Sequence, residues 1–174
     1  MKTNIETKNL LLEPIQLKHI SERYLSWIND KEVIKFLEIT KKYDKTELTN
    51  YINKIIKDKN GFMWAIIIKK NNLHVGNIRI HSIDKKNKFC HYGIMIGDKN
   101  YWGKGIAFEA TNSIFEFCFT NLRLRKIYLF VSEKNGSAVK LYKKLGFEIE
   151  GILKRHLKFE NDYCDSILMA KYNQ

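Results

Sequence analysis

The stretch NYWGKGIAFEATNSIFEFCF, residues Asn100–Phe119, decides the architecture. Two glycines one residue apart, Gly103 and Gly105, stand directly ahead of a helix-like run with Ile106, Ala110, Ile114 and Phe117 on one face. Glycine is a poor helix former but tolerates a left-handed turn. The pair therefore marks a tight turn into a helix. The N–H groups at a helix start have no intrahelical partners and carry partial positive charge, so such a turn can hold a phosphate, with Lys104 at its rim. G-x-G alone equally suits a strand-to-helix turn with no ligand. It is not a Walker loop, and Phe108 stands where the dinucleotide fingerprint needs a third glycine.

Upstream, FCHYGIMIGD reads as a strand, and downstream KIYLFVSE reads as another, so the helix is the crossover of a strand–helix–strand unit. Further out, NLLLEPIQ reads as a first strand ended by Pro14. LKHISERYLSWIND and KTELTNYINKIIKDKN have apolar residues at helical spacing. FMWAIIIKK and LHVGNIRIHSI form a hairpin through KNN. SAVKLYKKLGF is a helix closed by Gly146, and two last strands flank an END turn. This order predicts an α/β (α+β) fold: a mixed, mostly antiparallel sheet of six to seven strands with helices on both faces. The last strand, SILMAKY, is expected at an exposed edge, where it would pair in a homodimer; monomer and homodimer both stay open.

Composition narrows the function. The 174 residues suit one domain, and no apolar run is long enough to span a bilayer. The polar N-terminus is unlike a secretion signal, so a cytoplasmic protein with no membrane partner is expected. Cys90, Cys118 and Cys164 lack metal or disulfide spacing and read as buried free thiols; no metal is expected. The net charge is +12, but the basic residues are spread along the chain and mostly lysine, which argues against nucleic acid as the partner.

VSEKNGSAVKLYKKLGFEIEG follows YWGKGIAFEA with one strand between, placing Asn135 before a short helix and Tyr142 on it. These residues resemble the GNAT superfamily of acyl-CoA-dependent N-acetyltransferases, and the resemblance spans nearly the whole chain, 1–174, as a single N-acetyltransferase domain. NLLLEPIQLKHISERYLSWINDKEVIKFLE looks like the branch containing ribosomal-protein N-terminal and sugar-nucleotide N-acetyltransferases.

The resemblance implies acetyl-CoA as co-substrate, its pyrophosphate on Gly103, Lys104, Gly105, Ile106 and Ala107. Its pantetheine arm would lie between two splayed parallel strands, against the backbone of Ile94, Met95 and Ile96, with Asn135 also in contact. Asn100 stands where relatives often carry Gln or Arg, which weakens any side-chain phosphate contact there. Tyr142 matches the tyrosine beside the thioester sulfur and would act as acid; on spacing alone it is a packed helix tyrosine. His91 stands where relatives often carry Glu and would be a base, or else a structural histidine. His74 and His81 are placed at the surface or in the acceptor pocket, and Glu38 near the acceptor.

The implied reaction is attack of a neutral primary amine on the thioester. At pH 7 a lysine-type amine is neutral in a few molecules per ten thousand and an α-amine in roughly a tenth. A small-molecule amine on a nucleotide-linked sugar is the first acceptor expected, a protein N-terminus the second, a polyamine or aminoglycoside the third. The non-enzyme alternative is a CoA-sensing or nucleic-acid-binding module.

Overall fold

The structure, a computed structural model, describes residues 3–37, 39 and 41–173; Glu38 lies outside the described residues. The described residues form one eight-stranded sheet: β1 Ile5–Glu6, β2 Leu10–Pro14, β3 Phe62–Ile68, β4 Leu73–Asp84, β5 Phe89–Ile96, β6 Lys126–Ser132, β7 Glu148–Phe159 and β8 Asp162–Tyr172. The helices are α1 Glu22–Asn29, α2 Lys31–Ile34, α3 Lys45–Lys57, α4 Ile106–Glu116 and α5 Gly136–Lys144. The spatial order is β1-β2-β3-β4-β5-β6-β8-β7, and β5–β6 is the one parallel pair among the described strands.

The sequence expectation of a mixed, mostly antiparallel sheet is met with one strand more, the two-residue β1. That element is too short to show any periodicity. SILMAKY is not at an edge: β8 lies between β6 and β7, and the edge strand is β7. LKHISERYLSWIND is not one helix either. A 3₁₀ turn covers Leu17–His19, and α1 starts afresh after Ser21, whose hydroxyl accepts the Tyr24 N–H. The crossover helix is α-helical only to Glu116 and finishes as a π turn over Phe117–Asn121.

Strand alternation sorts the core into two layers. On β3, Trp64 and Ile66 face α4 and α5, while Met63, Ala65 and Ile67 face α1 and α3. Leu48, Ile52 and Ile55 make the buried stripe of α3, each contributing about 1.5–3 kcal/mol by leaving water. Gly97, just past β5, lets α1 approach: a Cβ there would stand 2.1 Å from the Trp27 ring. The α5 end is a Schellman motif. Gly146, at φ 84°, donates its N–H to Lys143 O, and Phe147 N–H reaches Tyr142 O.

The parallel pair opens. β5 and β6 are in register only at Phe89–Lys126, Cys90–Ile127 and His91–Tyr128. Beyond His91, β5 continues to Ile96 beside β4 alone, while β6 stays paired with β8. The edge of β5 from residue 92 to 96 therefore faces a wedge with no strand in it.

Candidate active site

The wedge ends at the glycine turn. Gly103 and Gly105 have φ of 70° and 78°, both left-handed, and Gly105 is the N-cap of α4. A Cβ built on either would meet nothing within 4 Å, so backbone conformation and not crowding demands glycine here. The turn is open, and the first amides of an eleven-residue helix start there. Lys104 Nζ rests 5.3 Å from the Tyr101 ring centroid, at the rim. Asn135 caps α5: its Oδ1 accepts the Ala138 N–H at 3.2 Å and the Ser137 hydroxyl at 3.1 Å. That leaves Nδ2 as the part of Asn135 open to a further partner. Trp102 Nε1 donates to the Ile96 carbonyl at 2.7 Å, so that carbonyl already has one donor.

Tyr142 sits on α5 with its ring 6.2 Å from Tyr92 and 5.5 Å from Phe147. Burial pushes its phenol up to about 12, so it is protonated throughout the neutral range. Its hydroxyl has no hydrogen-bond partner among the described residues.

Across the sheet from Tyr142 lies a cavity of about 590 Å³, within the range of small-molecule sites. Its floor is β4 and β5. Asn77, Arg79 and His81 come from alternate positions of β4, and His91, Gly93 and Met95 from alternate positions of β5. Its walls and mouth are largely aromatic and aliphatic: Phe36, Tyr43, Tyr51, Phe130, Leu153 and Leu157. Phe36 stacks on Phe159 at 5.6 Å and 6°, and Lys35 Nζ lies 4.9 Å from the Phe159 centroid, joining the end of α2 to the β7–β8 hairpin. No Asp or Glu lines the cavity among the described residues.

His91 and His81 are cross-strand partners, with His91 Nδ1 2.7 Å from His81 Nε2. Burial first, then the neighbouring His91 and Arg79, bring the His81 pKa down to about 4. His81 Nδ1 is 3.0 Å from the Ser82 hydroxyl. Behind the floor, His74 packs on His19, Tyr24 and Trp27 and is half-buried, not a surface residue. Its Nε2 lies 2.9 Å from Gly76 O and 3.1 Å from Asn77 Oδ1.

The structure thus brings His81, His91, Ile94 and Met95 to one cavity. It sets Tyr142 behind Tyr92 and the glycine turn at the far end of the wedge. Sequence reasoning missed Asn77 and Arg79. The signal was present: polar residues alternate with Ile78 and Ile80 in a strand that is otherwise apolar.

Residues 9–148 match the family described as acetyltransferase (GNAT) domain. The chain belongs to the GNAT acetyltransferase family. It is 29% identical over 173 residues to an uncharacterized N-acetyltransferase p20 of Bacillus licheniformis, covering 95% of this chain and 96% of that protein. It is 32% identical to the spermidine N(1)-acetyltransferase of Vibrio cholerae over 72% of this chain and 74% of that one. An L-amino acid N-acetyltransferase of Escherichia coli is 32% identical over 54% of this chain and 57% of its own. Among solved structures, Vibrio cholerae spermidine N-acetyltransferase in complex with CoA and spermine superposes with a TM-score of 0.86. It shares 24% identity and is covered over 96% of its length, against 95% of this chain. The GNAT fold and an acyltransferase activity are therefore established for this chain. Where these relatives are named for an acceptor, it is spermidine or an L-amino acid, not a sugar nucleotide or a ribosomal protein.

Proposed function

We propose that residues 1–174 act as one acetyl-CoA-dependent N-acetyltransferase domain, moving an acetyl group to the primary amine of a small molecule. The observation that carries the reading is the opening of β5 from β6 beyond His91, leading to the left-handed Gly103–Gly105 turn at the start of α4. An extended pantetheine arm fits along Ile94, Met95 and Ile96 as an added strand, and a pyrophosphate fits against the amides of Gly103 to Ala107, with Lys104 and Asn135 Nδ2 beside it.

Acetyl-CoA supplies the activated acetyl carbon; the chain's residues position it and handle protons. The amine nitrogen forms the new N–C bond and the C–S bond breaks. His91, with His81 behind it, takes the proton the amine loses. Tyr142 gives its hydroxyl proton towards the departing sulfur. The aromatic walls exclude water from the thioester.

The sequence expectation of a sugar-nucleotide acceptor finds no support in the names of the relatives. A polyamine has the support of the relatives named as spermidine N-acetyltransferases, while no carboxylate lines the cavity to face a polycation among the described residues. The test is calorimetry with acetyl-CoA and CoA, followed by thiol release on an amine panel with product masses. Absence of binding to either form of the carrier would overturn the reading.

A further inference from the structure

We propose that the acceptor amine carries a carboxylate and an apolar body, and that Asn77 and Arg79 bind that carboxylate on the cavity floor. The inference rests on the acetyltransferase reading and names the substrate class for the same cavity.

His74 fixes which way the Asn77 amide faces. Its Nε2 contacts Gly76 O, which can only accept, so Nε2 carries the proton. The same N–H therefore meets an acceptor on Asn77, which assigns Oδ1 to the His74 side and leaves Nδ2 as the other end of the amide. Asn77 is 3% exposed, lines the cavity, and its Nδ2 has no partner. A buried amide donor left unsatisfied is destabilising, and a bound acceptor would complete it. Two residues along the same face of β4, Arg79 spends one Nη2–H on Asp58 at 3.3 Å, and its Nε is likewise buried without a partner. Two donors from one strand face, one of them on a guanidinium, in a cavity lined by no carboxylate among its described residues, suit a carboxylate. A polycation would meet the Arg79 guanidinium, with Asp58 already engaged by it and no carboxylate lining the cavity among the described residues. Tyr43, Tyr51, Phe36 and Phe130 supply surface for an apolar or aromatic side chain.

The experiment measures binding as well as turnover. L-phenylalanine, L-leucine, phenethylamine (phenylalanine without its carboxylate) and spermidine are titrated by calorimetry into the full chain, with and without saturating CoA. They are then assayed for thiol release from acetyl-CoA. The expected result is that phenylalanine or leucine binds and reacts at least tenfold better than phenethylamine, with spermidine weakest. Arg79→Gln should raise KM for the amino acid and erase its advantage over phenethylamine. Asn77→Asp, which puts a charge against the carboxylate, should act in the same direction. Equal handling of phenylalanine and phenethylamine, a preference for spermidine, or no binding by either amino acid overturns the proposal. Failure of CoA itself to bind would instead strike the acetyltransferase reading, since acceptor titration without CoA still reports on the carboxylate.

Discussion

His91 Nδ1 and His81 Nε2 face each other at 2.7 Å across the β4–β5 pair, so one proton sits between two imidazoles on the cavity floor. Burial first, then the neighbouring His91 and Arg79, disfavour a positive charge on His81. If His91 takes the amine proton, His81 tunes it and does not act separately. His91→Ala should lower kcat roughly 10²-fold, within the range of general-base contributions. His81→Ala should lower it less, and the double variant should be no slower than His91→Ala alone. Steady-state rates of the three variants decide this; additive losses would mean two independent roles.

Tyr142→Phe removes a hydroxyl with no protein partner among the described residues from a ring that packs on Tyr92 and Phe147. Packing is retained, so the melting temperature should hold and CoA should bind as before. Turnover should fall about 10²-fold or more, since the departing sulfur loses its proton donor. Stopped-flow or steady-state thiol release measures the rate, and calorimetry the affinity. A variant as fast as the parent would reduce Tyr142 to packing.

His74 makes stability depend on pH. Burial, the first cause, brings its pKa from 6.5 to about 4, so the fold holds it neutral. The unfolded chain binds the proton first as pH falls. The stabilisation is therefore full above about pH 6.5, shrinks as pH drops from there towards 4, and is flat below. A shift of this size corresponds to about 3 kcal/mol. His81 has the same sign, with a smaller effect because its partial exposure lets water screen the charge. Urea unfolding between pH 7 and 4 should show the decline, and His74→Gln should reduce it to the smaller part that His81 contributes.

The strand–helix–strand unit and the end of α5 were legible because their signals are local: the glycine pair and the apolar face of α4 for the first, Gly146 for the second. Strand order was not. Nothing within SILMAKY tells that β8 inserts beside β6 and leaves β7 outside, because that choice is made by packing between distant segments. The His81–His91 pairing also escaped the sequence. It follows from the β4–β5 register, which two residues ten apart in a chain do not reveal. Asn77 and Arg79 were readable as an alternating polar face, yet their meaning depends on the cavity that α1, the segment after α2, α3 and the β7–β8 hairpin build above them. The turn at Gly103 and Gly105 is legible from the glycines alone, and the structure supplies the reason in their left-handed φ.

That reason can be separated from ligand binding. Gly105→Ala puts a Cβ on a residue at φ 78°, which costs about 1–2 kcal/mol of backbone strain. No neighbouring atom lies within 4 Å of that Cβ, so packing adds nothing to the loss. The melting temperature should fall by roughly 3–6 °C, as a loss of that size does in a chain of this length. The new methyl group would also stand in the open turn where a pyrophosphate approaches, so CoA affinity should fall by more than stability accounts for. Gly136→Ala is the control: it opens α5, has no positive φ and likewise meets nothing within 4 Å. It should leave both melting temperature and CoA affinity near those of the parent. If Gly105→Ala loses stability but keeps its full affinity for CoA, the turn is a structural corner and the phosphate lies elsewhere.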